Sequence, residues 1–242
     1  MTNGLRAVIQ AGGRGTRLYP YSTVLPKALM PLERDVVVVD ALLAMLKRAG
    51  CDTVYFTVRD FYRLLRSYCG DGSRYGLRIE YVEEAEPLGT IGPLRPMRER
   101  LDTTFFVTNS DVYLDLDTDA FLAAHRRHGT ALTVAVTRQT VDIAYGVLDL
   151  DDGVVTTFRE KPKESFTVST GVYLMEPRII DLIPEGPFGF DDLVHRMLAE
   201  RIPIGAFHHD GTWIDIGRIE ELRRAQQEAA GYLATEPPNG SH

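Results

Sequence analysis

Residues 5–18 read LRAVIQAGGRGTRL, an apolar run that is followed at once by a cluster of glycines. A short apolar run that ends in glycines is typical of a buried strand opening into a ligand-binding loop. We therefore expect a strand over Leu5–Ile9 and a loop that begins near Gly12. The rest of the fold prediction extends from this strand.

Helix-like and strand-like patterns alternate downstream of the loop, which predicts a β-α-β-α-β order. The predicted helices are Asp40–Arg48, which stops before Gly50, and Tyr62–Tyr68; the predicted strands are Thr53–Val58 and Arg78–Val82. Thr104–Thr108 is continuously apolar or β-branched, as expected of a strand that is buried on both faces. It leads directly to Asp111.

The second half of the chain has a more mixed pattern. We expect Thr118 to cap a helix over Asp119–His128. The further predicted strands are Ala131–Thr137, Gly146–Leu150, Val154–Phe158 and Val168–Leu174, and the closing helices are Asp191–Glu200 and Ile219–Ala230. Turns such as the one at residues 151–153 indicate that part of the sheet is antiparallel. We predict one domain over residues 1–232 and a flexible tail over residues 233–242.

Length and composition exclude several classes of protein. A chain of 242 residues with 44% hydrophobic and 25% charged residues is globular rather than disordered. No segment approaches the roughly 20 apolar residues of a membrane helix, and two cysteines do not suggest a disulfide framework. A net charge of −7 disfavours non-specific nucleic-acid binding. We expect a cytoplasmic protein with no nucleic-acid or membrane partner, in an oligomeric state that the sequence leaves open.

Basic residues are segregated into the glycine-rich loop. No Asp or Glu occurs before Glu33, whereas residues 11–32 contain Arg14, Arg17 and Lys27. Glycines let a backbone approach a ligand closely, and fixed cations neutralise phosphate charge. The loop therefore predicts a polyphosphate site, but neither the dinucleotide fingerprint nor the Gly-Lys-Ser/Thr of a P-loop is present.

Several stretches of the chain resemble the motifs of sugar-1-phosphate nucleotidylyltransferases, in particular the short guanylyltransferase-like branch. Gly12–Pro20 with Ser22-Thr23 and Pro26–Pro31 resemble the family's glycine-rich signature. The stretches 86–90, 160–162 and 213–217 and the acidic Asp111 follow in the family's order. The resemblance covers about residues 5–225.

This resemblance implies a fold, a reaction and a metal. The fold is a single Rossmann-like α/β domain with three α/β/α layers around a mixed, mostly parallel sheet. The reaction converts a nucleoside triphosphate and a sugar 1-phosphate into a nucleoside-diphosphate sugar and pyrophosphate. The metal is Mg²⁺, which two carboxylates suit because it retains waters and phosphate oxygens. The resemblance makes Asp111 and Asp215 its ligands.

The resemblance also carries roles onto individual residues. Arg17, Lys27 and Lys161 are the catalytic cations: Arg17 for the β and γ phosphates, Lys27 for the α phosphate and Lys161 for the sugar phosphate. The implied nucleotide-binding residues are Ala11, Gly12, Gly13, Gly15, Thr16, Glu84, Gly89 and Thr90. The implied sugar-side residues are Tyr145, Gly146, Glu160 and Thr170. The chain departs from the family's pattern at Ser110, where glycine is usual, and at Gln10, where an apolar residue is usual.

The nucleobase prediction depends on one carboxylate. In this family the residue five positions before the glycine of Pro-Leu-Gly-Thr faces the base, and here it is Glu84. A carboxylate only accepts hydrogen bonds, and guanine alone presents two adjacent donors, N1–H and N2–H₂. GTP is therefore the favoured donor. A slip to Glu83 or Glu86, or a solvated acidic turn, is the competing interpretation.

Two other functions remain open at this stage. One is transfer from a pyrimidine nucleotide, CTP, UTP or dTTP, to a sugar or another small phosphate or phosphonate. The other is a non-catalytic homologue that binds a nucleoside-diphosphate sugar and regulates a partner. An enzyme is favoured over the regulatory homologue because all five residues with implied roles in catalysis and metal binding are present: Arg17, Lys27, Asp111, Lys161 and Asp215. No linear motif identifies the sugar, because scattered side chains and backbone groups read its hydroxyls.

Overall fold

The computed structural model describes residues 4–13 and 16–233 of the chain. The described residues form five α-helices: α1 Val38–Arg48, α2 Tyr62–Cys69, α3 Thr118–His128, α4 Phe190–Ala199 and α5 Ile219–Leu233. They also form thirteen strands: β1 Leu5–Ala11, β2 Pro31–Glu33, β3 Val36–Val37, β4 Cys51–Val58, β5 Arg78–Glu83, β6 Phe105–Asn109, β7 Val112–Leu114, β8 Leu132–Asp142, β9 Val147–Asp151, β10 Val154–Arg159, β11 Lys163–Met175, β12 Ile204–His208 and β13 Trp213–Asp215.

Seven of these strands form the central sheet, in the order β12-β8-β11-β6-β1-β4-β5. All neighbouring pairs in this sheet are parallel except those of β11, which runs antiparallel to both β6 and β8. The prediction of a mixed, mostly parallel sheet is therefore confirmed. Because β1, β4 and β6 run in the same direction, their carboxyl ends meet at one edge of the sheet.

Helices cover both faces of the sheet, which confirms the three-layer α/β/α prediction. On one face, apolar residues of α1, α2 and α3 share a buried cluster with Ile9 of β1. On the other face, Leu193 and Met197 of α4 pack in a cluster with Val8. Val8 and Ile9 are adjacent, and side chains alternate across a strand, so β1 contributes to both clusters. Strand β1 is mostly apolar because helices cover the sheet on both of its faces.

Helix α5 packs against a third apolar cluster, beside the sheet. Leu222 and Ala225 of α5 share this cluster with Ile214 and Ile216. These isoleucines flank Asp215, so the packing of α5 holds that carboxylate in place. No helix within residues 4–13 and 16–233 is long and apolar enough to span a membrane.

The structure corrects several details of the sequence prediction. Asp117, not Thr118, caps α3, because its carboxylate accepts a hydrogen bond from the backbone N–H of Ala120 at 2.9 Å. Strands β9 and β10 form a separate hairpin rather than part of the central sheet. The sequence analysis did not predict β7, β12 or β13. Leu233 ends α5, and the rest of the predicted tail lies outside the described residues.

Candidate active site

A cleft of about 360 Å³ lies at the carboxyl ends of β1, β4 and β6. This is the edge at which open α/β sheets bind ligands. The cleft is lined by Gln10, Ala11, Gly12, Gly13, Pro26, Lys27, Thr57, Arg59, Glu84, Pro87, Gly89, Thr90, Asn109, Ser110 and Asp111. Glycine backbone, cations and carboxylates are therefore brought together from segments that are distant in the sequence.

Many of the predicted nucleotide-site residues lie in this cleft. The lining includes all of the following: Ala11, Gly12, Gly13, Lys27, Glu84, Gly89, Thr90 and Asp111. Thr16 begins a 3-10 turn over Thr16–Leu18. Gly15 lies outside the described residues.

Lys27 and Asp111 form an ion pair in the cleft. The Lys27 ammonium group contacts Oδ2 of Asp111, and the two side chains are only 13% and 17% exposed. A short 3-10 turn over Lys27–Leu29 carries the lysine, and buried Ala28 and Leu29 anchor that turn. Removing either partner would leave the other charge largely buried and unpaired, which is strongly destabilising.

Asp215 lies beside Asp111 because β7 and β13 pair antiparallel. Asp215 is opposite Val112, and the N–H of Ile216 donates to the carbonyl oxygen of Asp111 at 2.7 Å. Burial raises the pKa of Asp215, and the charge of Asp111 raises it further, whereas the charge of Lys27 opposes the shift. Two residues that are 104 positions apart thus present their carboxylates to one place.

The two aspartates fit a hard divalent cation. Their carboxylate oxygens are the donors that Mg²⁺ prefers, and their mutual repulsion is relieved when a cation binds between them. Residues 4–13 and 16–233 contain no group of three or more His, Cys, Asp or Glu side chains arranged to hold a metal ion. Two protein ligands would leave coordination positions for phosphate oxygens and water.

Arg17 lies next to Gly217 and close to Asp215. A Cβ atom built on Gly217 would lie 3.7 Å from Cζ of Arg17 and 3.5 Å from Oδ2 of Asp215. The Arg17 charge lowers the pKa of Asp215, against the larger effect of burial. Arg17 is exposed and is not among the residues that line the cleft; it lines a second cavity of about 320 Å³, together with Arg218. It therefore supplies a cation beside the aspartates.

Of the three neighbouring glutamates, Glu84 is the one that lines the cleft. Glu83 and Glu86 are exposed, whereas Glu84 is half-buried. Its Oε2 accepts a hydrogen bond from the N–H of Leu88 at 3.3 Å, and its Oε1 lies 3.0 Å from where a Cβ on Gly12 would be. Burial raises the pKa of Glu84, and the Leu88 hydrogen bond and the Arg59 charge oppose this.

The loop around Gly89 is tightly fixed. Gly89 has a φ of +76°, and a Cβ atom there would lie 2.6 Å from the carbonyl oxygen of Phe188. Both the conformation and the close approach require glycine. Next to it, the Thr90 hydroxyl oxygen accepts a hydrogen bond from the N–H of Phe190 at 2.9 Å. The wall of the cleft that holds Glu84 is thus anchored to the segment before α4.

The predicted sugar-side residues form a separate group, outside the lining of the cleft. Gly146 adjoins Glu160, whose Oε2 would lie 3.4 Å from a Cβ at that glycine. Exposed Lys161 has a φ of +43°, and its Nζ lies 3.9 Å from Oε1 of Glu160. Tyr145 is 79% exposed. These four residues surround the base of the β9–β10 hairpin.

Thr170 contributes mainly to the fold. Its buried hydroxyl donates to the carbonyl oxygen of Ala135 at 2.8 Å, and its carbonyl accepts from Nε1 of Trp213 at 2.9 Å. The side chain is therefore already occupied, and a contact with a sugar would have to use its remaining backbone atoms.

Sequence reasoning missed Thr57, Arg59 and Asn109, all of which line the cleft. Gln10 was noted only as a departure from the family. Thr57 and Asn109 are the register partners of Gln10 on the two flanking strands. Polar residues at the carboxyl ends of three adjacent predicted strands were the signal that could have found them.

The chain matches the family model described as Nucleotidyl transferase over residues 6–231, and it belongs to this family. It is 33% identical over 97% of its length to a UTP–glucose-1-phosphate uridylyltransferase from Synechocystis. It is 34% identical over 91% of its length to the mannose-1-phosphate guanylyltransferase catalytic subunit beta of Drosophila pseudoobscura pseudoobscura. The chain spans 65% and 61% of the lengths of these two relatives.

A solved structure shows the same fold. The chain superimposes on HddC from Yersinia pseudotuberculosis with a TM-score of 0.73 and 24% identity, covering 93% of this chain and 99% of that chain. The predicted family and the predicted Rossmann-like fold are both confirmed.

Proposed function

We propose that this chain transfers a nucleotidyl group from a nucleoside triphosphate to a sugar 1-phosphate, releasing pyrophosphate. The observation that carries the proposal is the cluster of Lys27, Asp111 and Asp215 at the end of the glycine-lined cleft. Both curated relatives described above are named as transferases of this kind, which supports the same reaction class.

The reaction needs positioning and charge neutralisation rather than a covalent nucleophile. An oxygen of the sugar phosphate attacks the α-phosphorus, a new P–O bond forms, and the bond to the β-phosphate breaks as pyrophosphate leaves. We assign Lys27 to balance charge at the α-phosphate, and Arg17 at the departing phosphates. A bound Mg²⁺ would supply Lewis-acid stabilisation of the phosphoryl oxygens. Asp111 and Asp215 are the residues that would hold it.

We assign the sugar phosphate to the group at the base of the hairpin. Lys161 supplies a cation for that phosphate, and Glu160 accepts hydrogen bonds from sugar hydroxyls. Tyr145 and Gly146 lie beside Glu160 and complete this half of the site. Because this group is exposed and outside the cleft, bound sugar phosphate would bridge the hairpin and the carboxylates.

GTP is the nucleotide that Glu84 favours. The carboxylate is half-buried in the cleft, and its Oε1 is not engaged by the Leu88 hydrogen bond. Uracil and thymine present one donor flanked by acceptors, which a carboxylate repels, whereas guanine presents two adjacent donors. The named relatives include both uridylyl and guanylyl transferases, so this preference rests on Glu84 itself.

A binding-only regulatory protein is the second candidate. It would need the cleft but not the buried ion pair of Lys27 and Asp111 next to Asp215. Holding the carboxylates of Asp111 and Asp215 close together costs free energy, and a protein that only binds its ligand has no need of this arrangement. The cluster therefore favours catalysis.

A pyrophosphate-release screen tests the proposal directly. The purified chain is assayed with GTP, ATP, CTP, UTP and dTTP against a panel of sugar 1-phosphates, and with phosphocholine as a different acceptor. We expect Mg²⁺-dependent release that is fastest with GTP and a sugar 1-phosphate, and that stops when EDTA is added. No release with any pair, despite binding of a nucleoside-diphosphate sugar in calorimetry, would favour the regulatory protein.

A further inference from the structure

The strongest unassigned feature of the cleft is the side-chain amide of Gln10. Its Nε2 donates to the backbone carbonyl of Thr90. This contact fixes the orientation of the amide, because the flipped amide would place Oε1 against the carbonyl oxygen, and both are acceptors. Its Oε1 is buried and has no hydrogen-bond partner within residues 4–13 and 16–233. Gln10 also lines the cleft. A buried acceptor without a partner costs free energy, so its presence here needs an explanation.

Gln10 lies close to the proposed base reader. Its register partner on β4 is Thr57, and the N–H of Glu84 donates to the carbonyl of Val58, the next residue along that strand. Neighbouring strands are about 4.8 Å apart, and only β4 separates the strand of Gln10 from the segment that carries Glu84. Glu84 leans toward the strand of Gln10, since its Oε1 reaches the vicinity of Gly12.

Gln10 lines the cleft together with Lys27 and Asp111, the groups assigned to phosphate and metal, and with Glu84. Its amide is held by Thr90, on the wall that also carries Glu84. A nucleotide whose phosphates lie at Lys27 and whose base meets Glu84 extends along the lining that includes Gln10. Among the described residues, Glu84 has an unengaged Oε1 in the cleft, and Gln10 has an unpaired Oε1 just beneath the cleft lining, so together they suit a base edge that is rich in donors.

Resting on the proposed function, we propose that Gln10 is a second nucleobase-specificity residue, whose Oε1 accepts a hydrogen bond from the 2-amino group of guanine. That amino group has two hydrogens, so it can donate to Glu84 and to Gln10 at once. Guanine would then satisfy the acceptor that is otherwise unpaired. A base without an amino group at this position would leave it unpaired.

Inosine triphosphate tests this proposal because it differs from GTP only in lacking the 2-amino group. kcat/KM is measured with GTP and with ITP for the wild-type chain, for Gln10→Leu and for the closer isostere Gln10→Met. We expect the wild type to prefer GTP. Each variant should lower the GTP/ITP ratio by about five- to tenfold, through a loss with GTP alone. Thermal unfolding of each variant, compared with the wild type, shows whether it is folded.

The outcomes separate this inference from the proposed function. A wild type that favours GTP over UTP and dTTP, with variants that keep its GTP/ITP ratio, overturns the role of Gln10 alone. A wild type that favours GTP over the pyrimidine nucleotides but does not distinguish GTP from ITP overturns it without any variant. In another outcome, the variants lose kcat/KM equally with GTP and ITP but lose none with 2′-deoxy-GTP. That result would assign Oε1 of Gln10 to the ribose 2′-hydroxyl and would also overturn the inference. A wild type that prefers UTP or dTTP overturns the guanine assignment and this inference together.

Discussion

The ammonium group of Lys27 contacts the carboxylate of Asp111, across 84 positions of sequence. Asp215, the neighbour of Asp111, has no such close ion pair among the described residues, and burial and the charge of Asp111 raise its pKa. The two aspartates therefore differ in their surroundings. Asp111 contacts a cation directly, whereas burial disfavours the charge of Asp215.

Asp111→Asn and Asp215→Asn should each lower turnover at least about 100-fold, because each removes a principal electrostatic group of the site. Their effects on stability should differ. Asp111→Asn leaves the largely buried Lys27 ammonium without its partner and should lower the Tm of the metal-free protein. Asp215→Asn removes a disfavoured charge and should raise it. Pyrophosphate release and thermal unfolding measure the two effects.

The sign of the Asp215 effect also fixes its pH dependence. A carboxyl whose pKa is raised on folding destabilises the folded state above that raised pKa and has no such effect below its unfolded value of about 3.9. The gain in Tm from Asp215→Asn should thus be present at pH 7–8 and fade toward pH 4. Exposed Asp210 provides the control, as Asp210→Asn should change neither Tm nor turnover appreciably. A loss of Tm in Asp215→Asn at pH 8 would contradict this account.

Arg17→Ala should raise the KM for the nucleotide, and Lys161→Ala the KM for the sugar phosphate, because each cation is assigned to a different substrate. Steady-state kinetics with each substrate varied in turn measure this division. Arg218→Ala, which alters the small cavity next to Arg17, and Lys163→Ala, beyond Pro162, are matched controls. If both test variants weakened the same substrate alone, the division of roles would be wrong.

Gly89→Ala should destabilise the chain and weaken nucleotide binding, because the new Cβ meets the Phe188 carbonyl oxygen at 2.6 Å. Gly129 has a similar φ of +63°, but a Cβ there meets nothing within 4 Å. Gly129→Ala should therefore cost only the backbone strain, about 1 kcal/mol. Denaturant unfolding gives both costs, and equal values for the two variants would show that the contact with Phe188 is unimportant.

Most of the residues that line the cleft could be brought together from the sequence because they lie in local motifs. Gly12, Gly13 and Lys27 follow the first strand directly, and parallel strands bring their carboxyl ends to one edge. Asp111 follows the next strand of that edge. Local patterns and one rule of sheet geometry were enough to bring these groups together.

Other features of the fold and the site depend on strand pairing and backbone conformation, which local sequence patterns do not specify. Asp215 reaches Asp111 through the three-residue strands β7 and β13, which are too short to show periodicity. The cap of α3 is Asp117 rather than the predicted Thr118, and residue type alone does not separate them because Asp and Thr are both good capping residues. Asp117 has the extended backbone that the cap position needs, and sequence alone does not show this.

The two cysteines should be unreactive in the native protein. Both are buried, and burial raises the pKa of Cys51 and of Cys69 to about 12. At pH 8 almost no thiolate is present, and the thiolate is the nucleophile. We expect no labelling by a thiol reagent at pH 8 until denaturant is added, after which two thiols per chain react. Rapid stoichiometric labelling of the native chain would contradict this.

The preference for GTP should decline at acid pH, because Glu84 must be ionised to accept two hydrogen bonds from guanine. Burial raises the pKa of Glu84 above its ordinary value of 4.5, so protonation begins at a higher pH than for an exposed glutamate. The protonated carboxyl is a donor as well as an acceptor and opposes the guanine donors. The ratio of kcat/KM for GTP to that for ITP should therefore be highest at neutral pH and fall as the pH drops through this pKa.

Glu84→Gln should show a low ratio that does not vary with pH, whereas Glu83→Gln and Glu86→Gln, in the exposed part of the same turn, should behave like the wild type. A wild-type ratio that stays constant from pH 8 to pH 5, or one that either control abolishes, would remove Glu84 from the base site and leave the reaction class unaffected.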